Sequence, residues 1–161
     1  MLSPPPVNLA KMEVGRMADV LTPEERSYNM SHIRSSNTVP EERVRKYLFS
    51  HGFRYRKNDK RYPGKPDIVL PKYHTIVFVN GCFWHMHDCS SFSWPKSRLD
   101  YWEPKLRHNA SRDQQHYSQL QSMGWQVLVI WECQLKKKTF DETMTRLIHS
   151  IKQNNFSESS N

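Results

Sequence analysis

The sequence feature that most restricts how this chain can fold is the stretch NGCFWHMHDC at residues 80–89. It contains four of five side chains suited to transition-metal binding, and the fifth ends a later β-branched run: Cys82, His85, His87, Cys89 and Cys133. A structural zinc site takes four thiolate or imidazole ligands. Three cysteines and one histidine would therefore fix this loop to the end of a strand. The spacing does not distinguish His85 from His87, and three ordinary reduced cysteines are the alternative.

Two aromatic residues, Phe83 and Trp84, lie inside the same stretch. A metal that holds the loop from below would let both rings project outward, where rigid aromatics can stack on nucleic-acid bases or wedge between them. The other interpretation is that both rings pack around the metal site as core residues. The residues alone slightly favour packing.

The charge of the chain predicts a nucleic-acid partner. The 161 residues have a formal net charge of +8, and the cations are concentrated between Arg34 and Lys72. A basic face attracts polyanions by counterion release and steering, while simple solubility is the alternative explanation. The odd number of cysteines and the absence of a secretory signal indicate a reducing compartment, and no apolar run is long enough to predict a membrane span.

Capping and periodicity outline one α/β domain. Helices are expected at about 23–34, from about 39 to Gly52, at about 99–123, and over TFDETMTRLIHSIK. The runs DIVLP and TIVFVN predict buried strands, and WQVLVIWE predicts a third, stronger strand. The helices should therefore flank a small central mixed sheet. We expect a flexible extension at 1–17, the folded domain at 18–153 and a disordered tail at 154–161.

Three carboxylates are candidates for chemistry. Asp67 opens a predicted strand, where a carboxylate can hold a divalent cation beside a phosphate. Glu41 lies in a first helical turn, where a capping-box role competes with a functional one. Asp113 falls on the otherwise inward-facing helical stripe of Leu106, Ala110, Tyr117 and Leu120, so it must be paired or functional.

A histidine of the loop could complete a phosphodiesterase site. Magnesium on Asp67 would polarise the phosphate, and whichever of His85 and His87 zinc leaves free would move a proton. The strand after Asp67 has Val79, Asn80 and Gly81 in place of the further acid and lysine of PD-(D/E)xK nucleases. That motif is therefore incomplete.

Four segments together closely resemble the very short patch repair (Vsr) DNA mismatch endonucleases: YPGKPDIVL, GCFWHMHDC, YWEPKLRHNASRD and GWQVLVIWEC. The resemblance covers about residues 18–151. It implies a restriction-endonuclease-like α/β core, a structural zinc, a catalytic magnesium, and nicking 5′ to the thymine of a T:G mismatch.

The resemblance also implies roles for individual residues. Asp67 resembles the magnesium-binding aspartate, and the backbone carbonyl of Val79 resembles a second protein ligand of that ion. His85 resembles the catalytic histidine, supported by Glu41 and Asp113.

The family pattern implies two further groups. The zinc ligands would be Cys82, His87, Cys89 and Cys133. The DNA contacts would be Phe83, Trp84 and Trp102 as an aromatic wedge from the major groove, with Met30 on the minor-groove side. Family members have a histidine where this chain has Asn80, which puts a catalytic role at that position in doubt.

The resemblance sets the expected partners and the alternatives. We expect a monomer in the bacterial cytoplasm, at the nucleoid, acting on double-stranded DNA with a T:G mismatch and working with mismatch-repair proteins. A zinc-stabilised DNA-binding module without catalysis and a nuclease without mismatch preference are the competing functions.

Overall fold

The computed structural model describes residues 22–158, which form four α-helices, four strands and two short 3₁₀ turns. The helices are α1 (Pro23–His32), α2 (Val39–Ser50), α3 (Leu99–Ser122) and α4 (Phe140–Glu158). The strands are β1 (Arg56–Lys57), β2 (Ile68–Leu70), β3 (Thr75–Asn80) and β4 (Gln126–Trp131), and the 3₁₀ turns are Pro71–Tyr73 and Glu132–Leu135.

The strands form one mixed sheet in the order β1-β2-β3-β4. β1–β2 and β2–β3 are antiparallel, whereas β3 and β4 are parallel and are connected through α3. In the parallel pair Asn80 lies opposite Trp131. The loop after β3 and the chain after β4 therefore leave the sheet at the same end, where both strands have their carboxyl ends.

Helices cover both faces of the sheet, so β2 and β3 are buried along their whole length. On one face, α2 and α4 pack on the sheet through Val44, Leu48, Met144, Leu147 and Ile151. On the other face α3 packs through Leu120, with Tyr117 half-buried beside it. Burial of each aliphatic side chain contributes about 1.5–3 kcal/mol to the free energy of folding relative to exposure. This packing fixes the helices on the sheet.

A third cluster lies outside the sheet, beneath the loop that follows β3. Phe83 packs there on Trp102 and Leu106 of α3, with Met30 of α1 at its margin. Thr22 caps α1 with the predicted capping box, in which its hydroxyl accepts from Glu25 N at 3.2 Å and its own N–H donates to Glu25 Oε2 at 2.9 Å. The cluster of Phe83, Trp102, Leu106 and Met30 connects α1 and α3 to the loop.

The four predicted helices, the three predicted strands and the α/β class are confirmed. The two-residue edge strand β1 is additional. α4 continues past residue 153, the predicted domain end, and Asn154 Nδ2 donates to Tyr73 O at 2.8 Å. The predicted extension 1–17 and the last three residues of the predicted tail lie outside the described residues, and no helix in 22–158 is both long and apolar enough to span a membrane.

Candidate active site

The four predicted zinc ligands converge at the shared edge of β3 and β4. The ligand atoms of Cys82, His87, Cys89 and Cys133 all lie within 4.8 Å of one another. His87 Nδ1 is 3.6 Å from Cys82 Sγ and 3.5 Å from Cys133 Sγ. In a tetrahedral zinc site with ligand distances of about 2.1–2.3 Å, ligand atoms are separated by about 3.6 Å. The donor set and its spacing therefore fit zinc.

The protonation of these groups also suits a metal. Burial raises the pKa of Cys82 to about 12, so a thiolate there needs a nearby cation. Burial lowers the pKa of His87, which favours the neutral imidazole that binds metals. The His87 ring stacks on Trp131 at 4.1 Å with an interplanar angle of 3°, and this stacking fixes its orientation.

His85 lies outside the ligand cluster and pairs with α3. Its Nδ1 hydrogen-bonds to Asp113 Oδ2, and both side chains are half-buried. When Nδ1 donates to this carboxylate, Nε2 is left as the acceptor of the ring. The inward-facing acid predicted on α3 is therefore paired, and its partner is the loop histidine that the metal cluster does not use.

Asp67 lies just before β2, and its carboxylate reaches β3. Oδ2 accepts from Val79 N at 2.7 Å. Burial, together with the nearby Glu41, raises the pKa of Asp67 to about 7, whereas the Val79 N–H and Arg45 oppose this rise. A buried carboxylate whose charge is this costly fits a site that binds a cation.

Glu41 is a buried partner of Arg45 rather than a member of a capping box. Its carboxylate accepts from Asn37 N at 2.7 Å, from Thr38 Oγ1 at 2.8 Å and from Arg45 Nη2 at 3.1 Å. A capping box would require a bond from the Thr38 backbone N–H. Sequence reasoning missed Arg45, although Glu41 and Arg45 share the inward stripe of Val44 and Leu48, where a charged pair is a signal in itself.

These groups line one cleft with a volume of about 880 Å³. The predicted site residues on its wall are Met30, Glu41, Asp67, Val79, Phe83, Trp84, His85 and Asp113. Four cations line it as well, namely Arg34, Lys60, Lys65 and Arg112. These four were not predicted individually, because only the fold brings them to the same wall.

The aromatic residues of the loop are mostly covered in the free chain. Phe83 is 6% exposed and Trp102 is 4% exposed, while Trp84 is half-buried. The Phe83 ring packs edge-on against both tryptophans at 5.1 and 5.5 Å. Projection of Phe83 from the surface is therefore wrong for the free chain, and the packing interpretation holds for Phe83. Trp102 of α3 is buried beside it. Their contact with DNA stays a prediction.

Asn80, at the position of the expected histidine, lies at the end of β3 on the cleft wall. Its Nδ2 donates to Tyr117 OH at 2.7 Å, and burial raises the pKa of Tyr117 to about 12. Neither side chain is suited to transfer a proton near neutral pH. Among the residues the structure describes, the histidines on this wall that remain available for that role are His85 and His116 of α3.

The comparisons with known proteins agree with this geometry. A family profile described as DNA mismatch endonuclease Vsr matches residues 18–91. A type II nicking enzyme of Neisseria meningitidis serogroup A, V.NmeAIP, is 50% identical over 137 residues, which cover 84% of this chain and 98% of the relative. The DNA mismatch endonuclease Vsr of Escherichia coli is 40% identical over 131 residues, covering 80% of this chain and 84% of the relative. The chain therefore belongs to the Vsr family of DNA mismatch endonucleases.

Proposed function

We propose that this protein is a DNA endonuclease with a restriction-endonuclease-like core that nicks one strand 5′ to the thymine of a T:G mismatch. The observation that carries the proposal is the convergence of Asp67, His85, Asp113 and Glu41 on one cleft, which four cations also line, beside a cluster of zinc-type ligands. Family membership supports the reaction class.

Asp67 and the backbone carbonyl of Val79 are the groups that would hold a magnesium ion. The buried carboxylate, with Oδ2 fixed by the Val79 N–H, suits that ion because its charge lacks full solvation. When bound, magnesium supplies positive charge that polarises the phosphate and lowers the pKa of water.

His85 moves the proton in this mechanism. Asp113 holds Nδ1 and stabilises the imidazolium, so Nε2 is the nitrogen that exchanges a proton with the reacting groups. Glu41 supports the site indirectly. It is bonded to Arg45 and to the turn before α2, which keeps this wall of the cleft in place.

The loop that carries His85 also recognises the mismatch. Phe83, Trp84 and Trp102 form a packed aromatic group beside the cleft, and Met30 lies at its margin. A T:G wobble pair is stacked less securely than a Watson–Crick pair, so opening the duplex there costs less free energy. Zinc bound to Cys82, His87, Cys89 and Cys133 would make the loop more rigid, so that its aromatic side chains keep their position when the duplex opens.

The decisive experiment is a nicking assay on matched and T:G duplexes with magnesium. We expect one strand of the T:G duplex to be cut on the 5′ side of the thymine. Asp67→Ala should abolish nicking but retain zinc and mismatch binding.

Three results would contradict parts of the proposal. Cleavage retained by Asp67→Ala would remove Asp67 from the reaction. Equal cutting of both duplexes would indicate a nuclease without mismatch preference, and binding without cutting would indicate a DNA-binding module.

A further inference from the structure

Arg45 is a buried cation that no step of the proposed reaction uses. Its side chain is 5% exposed, and the guanidinium donates five hydrogen bonds. The acceptors are Glu41 Oε2 at 3.1 Å, Asn37 Oδ1 at 3.0 Å, Asn58 Oδ1 at 3.2 Å, and the main-chain carbonyl of Asp67 at 3.0 and 3.3 Å. Each of the three guanidinium nitrogens therefore has a defined acceptor, and this arrangement fixes the position of the buried charge.

The four acceptors come from segments that are separate in sequence. Asn37 precedes α2, Glu41 is in its first turn, and Asn58 and Asp67 stand at the two ends of the loop 58–66. That loop is closed at its base by Asn58 N to Asp67 O at 3.4 Å. Arg45 therefore fastens both ends of the loop to α2.

The backbone at two of these acceptors supports a dedicated arrangement. Asn37 and Asn58 both have left-handed backbone, with φ of 55° and 48°, which most non-glycine residues adopt only at a cost. Their side chains are also bonded to each other, Asn58 Nδ2 to Asn37 Oδ1 at 2.9 Å. Asparagine tolerates this backbone and, unlike glycine, offers Arg45 a carbonyl acceptor.

The loop and the carboxylate face the same cleft. Lys60 and Lys65, inside the loop, line its wall together with Asp67. A displacement at the base of the loop would therefore move the lysines and the carboxylate at once. Lysine could not replace Arg45 here, because a single ammonium cannot reproduce the planar fork.

We propose that Arg45 is a positioning residue that couples a DNA-contacting loop, residues 58–66, to the cation-binding Asp67. This rests on the proposed function. Arg45 acts on Asp67 through its main-chain carbonyl and on the loop through Asn58. The first connection sets cation binding and kcat, and the second sets the KM for DNA.

The test compares variants that break different connections. Arg45→Lys should lower kcat by about 10- to 100-fold, the size of effect that small misplacements produce, and raise the magnesium concentration needed for half-maximal rate. Asn58→Gly, which suits the left-handed backbone, removes the bonds of the Asn58 side chain to Arg45 and Asn37. It should raise the KM for T:G duplex by about 10- to 100-fold, the size of effect expected when a hydrogen bond to a charged group is lost, and change kcat less than about twofold. Asn58→Asp keeps the acceptor for Arg45 but loses the donor to Asn37 Oδ1, so it should restore the KM only in part.

The matched control is Arg43→Lys. Arg43 is on the same helix, but its guanidinium donates to Leu135 O at 2.7 Å and lies over the Phe140 ring, outside the cleft. It should keep the wild-type kcat, KM and magnesium dependence. A second readout without DNA is the rise in Tm on adding magnesium, which Arg45→Lys should reduce and Arg43→Lys should not.

The outcomes separate this inference from the proposed function. If Arg45→Lys melts at a lower temperature yet keeps wild-type kcat and magnesium dependence, Arg45 is only structural and the inference fails. If Arg45→Lys does not fold, an unchanged KM in Asn58→Gly overturns the coupling. If the wild type does not nick T:G DNA, the proposed function fails, and the magnesium-dependent Tm then decides whether Arg45 still positions Asp67.

Discussion

At the residue scale, the site depends on charges whose burial is only partly compensated. Asp67 carries a carboxylate with a pKa of about 7, raised chiefly by burial, and Val79 N–H is its nearest donor. His85 and Asp113, in contrast, satisfy each other. A bound cation would therefore stabilise the charged form of Asp67. The His85–Asp113 pair, in contrast, is preorganised for proton transfer without a cation.

Asp67→Asn should stabilise the magnesium-free protein above pH 7. The folded pKa lies above the unfolded value of about 3.9, so the folded state binds the proton more tightly and the free energy of unfolding falls as the pH rises from about 4 to about 7. Asparagine has no charge and keeps an acceptor for Val79 N–H. We expect the variant to gain roughly 2–4 kcal/mol at about pH 8 and little at about pH 4.

Thermal melts of both zinc-loaded proteins without added magnesium across this pH range measure the effect. Added magnesium should raise the Tm of the wild type and leave that of Asp67→Asn unchanged. Identical pH profiles for the two proteins would contradict the buried-charge explanation.

His85 and Asp113 should behave as one unit in catalysis. His85→Gln and Asp113→Asn should each lower kcat on T:G duplex by about 10²- to 10⁴-fold, and the double variant should be little worse than the poorer single one, since each change removes the same proton transfer. Single-turnover nicking rates measure this. The control is His108→Gln, at an exposed position on α3, the helix of Asp113, and it should keep full activity. Additive losses in the double variant would show that His85 and Asp113 act independently.

At the element scale, the parallel pairing of β3 and β4 assembles the site. Asn80 and Trp131 lie side by side at the strand ends, which brings the loop of residues 81–89 to Cys133. The loop also packs through Phe83 on α3. A metal bound to the four ligands on one side, together with the aromatic core on the other, would hold the backbone between them, and His85 lies in that segment.

Loss of zinc should loosen this whole edge of the sheet. Cys133→Ser should lower metal content and Tm together, because metal-binding energy contributes to folding energy. Metal analysis and melting curves measure this. A chelator should reproduce the lower Tm in the wild type, and added Zn²⁺ should reverse it there but not in Cys133→Ser. An unchanged melting curve in the variant would remove Cys133 from the metal site.

Trp84 should contribute more to mismatch discrimination than to general DNA affinity. It lines the cleft and is half-buried at the edge of the aromatic cluster, so its removal takes away the wedge while the ring of Phe83 stays packed. Trp84→Ala should weaken binding to T:G duplex by about 1–3 kcal/mol and binding to matched duplex by less. Trp94→Ala, at an exposed tryptophan that does not line the cleft, is the control, and equal losses on both duplexes would make Trp84 an ordinary packing residue.

Local patterns predicted the elements well, but not the contacts that cross between them. Proline, capping residues and apolar periodicity identify α2 and α4 because these signals act within one helix. The Arg45 contacts with Asn37 and Asn58 join three segments, and no local spacing encodes them. The burial of Phe83 likewise depends on how α3 crosses the loop. For the metal ligands the resemblance chose His87, and the geometry agrees.

At the scale of the whole molecule, the fold of this chain of net charge +8 brings four cations to the cleft. Arg34, Lys60, Lys65 and Arg112 come from three different parts of the chain and line the same wall as Asp67. Basic groups on the wall of a cleft focus the field on a polyanion that enters it. Affinity for DNA should therefore be electrostatic, while preference for a mismatch should come from uncharged contacts.

Salt should accordingly weaken DNA binding without removing the preference for T:G. The logarithm of the binding constant should fall linearly with that of the salt concentration, because cations that contact phosphates release counterions. Lys65→Gln should reduce this slope by about one and weaken matched and T:G duplexes alike. Lys152→Gln on α4, an exposed position away from the cleft, should leave the slope unchanged. Titrations of labelled matched and T:G duplex at several salt concentrations measure the slopes for the wild type and both variants. A slope unaffected by Lys65→Gln would mean that the loop 58–66 does not contact phosphates, and a T:G preference that disappears with salt would mean that charge, rather than the aromatic cluster, reads the mismatch.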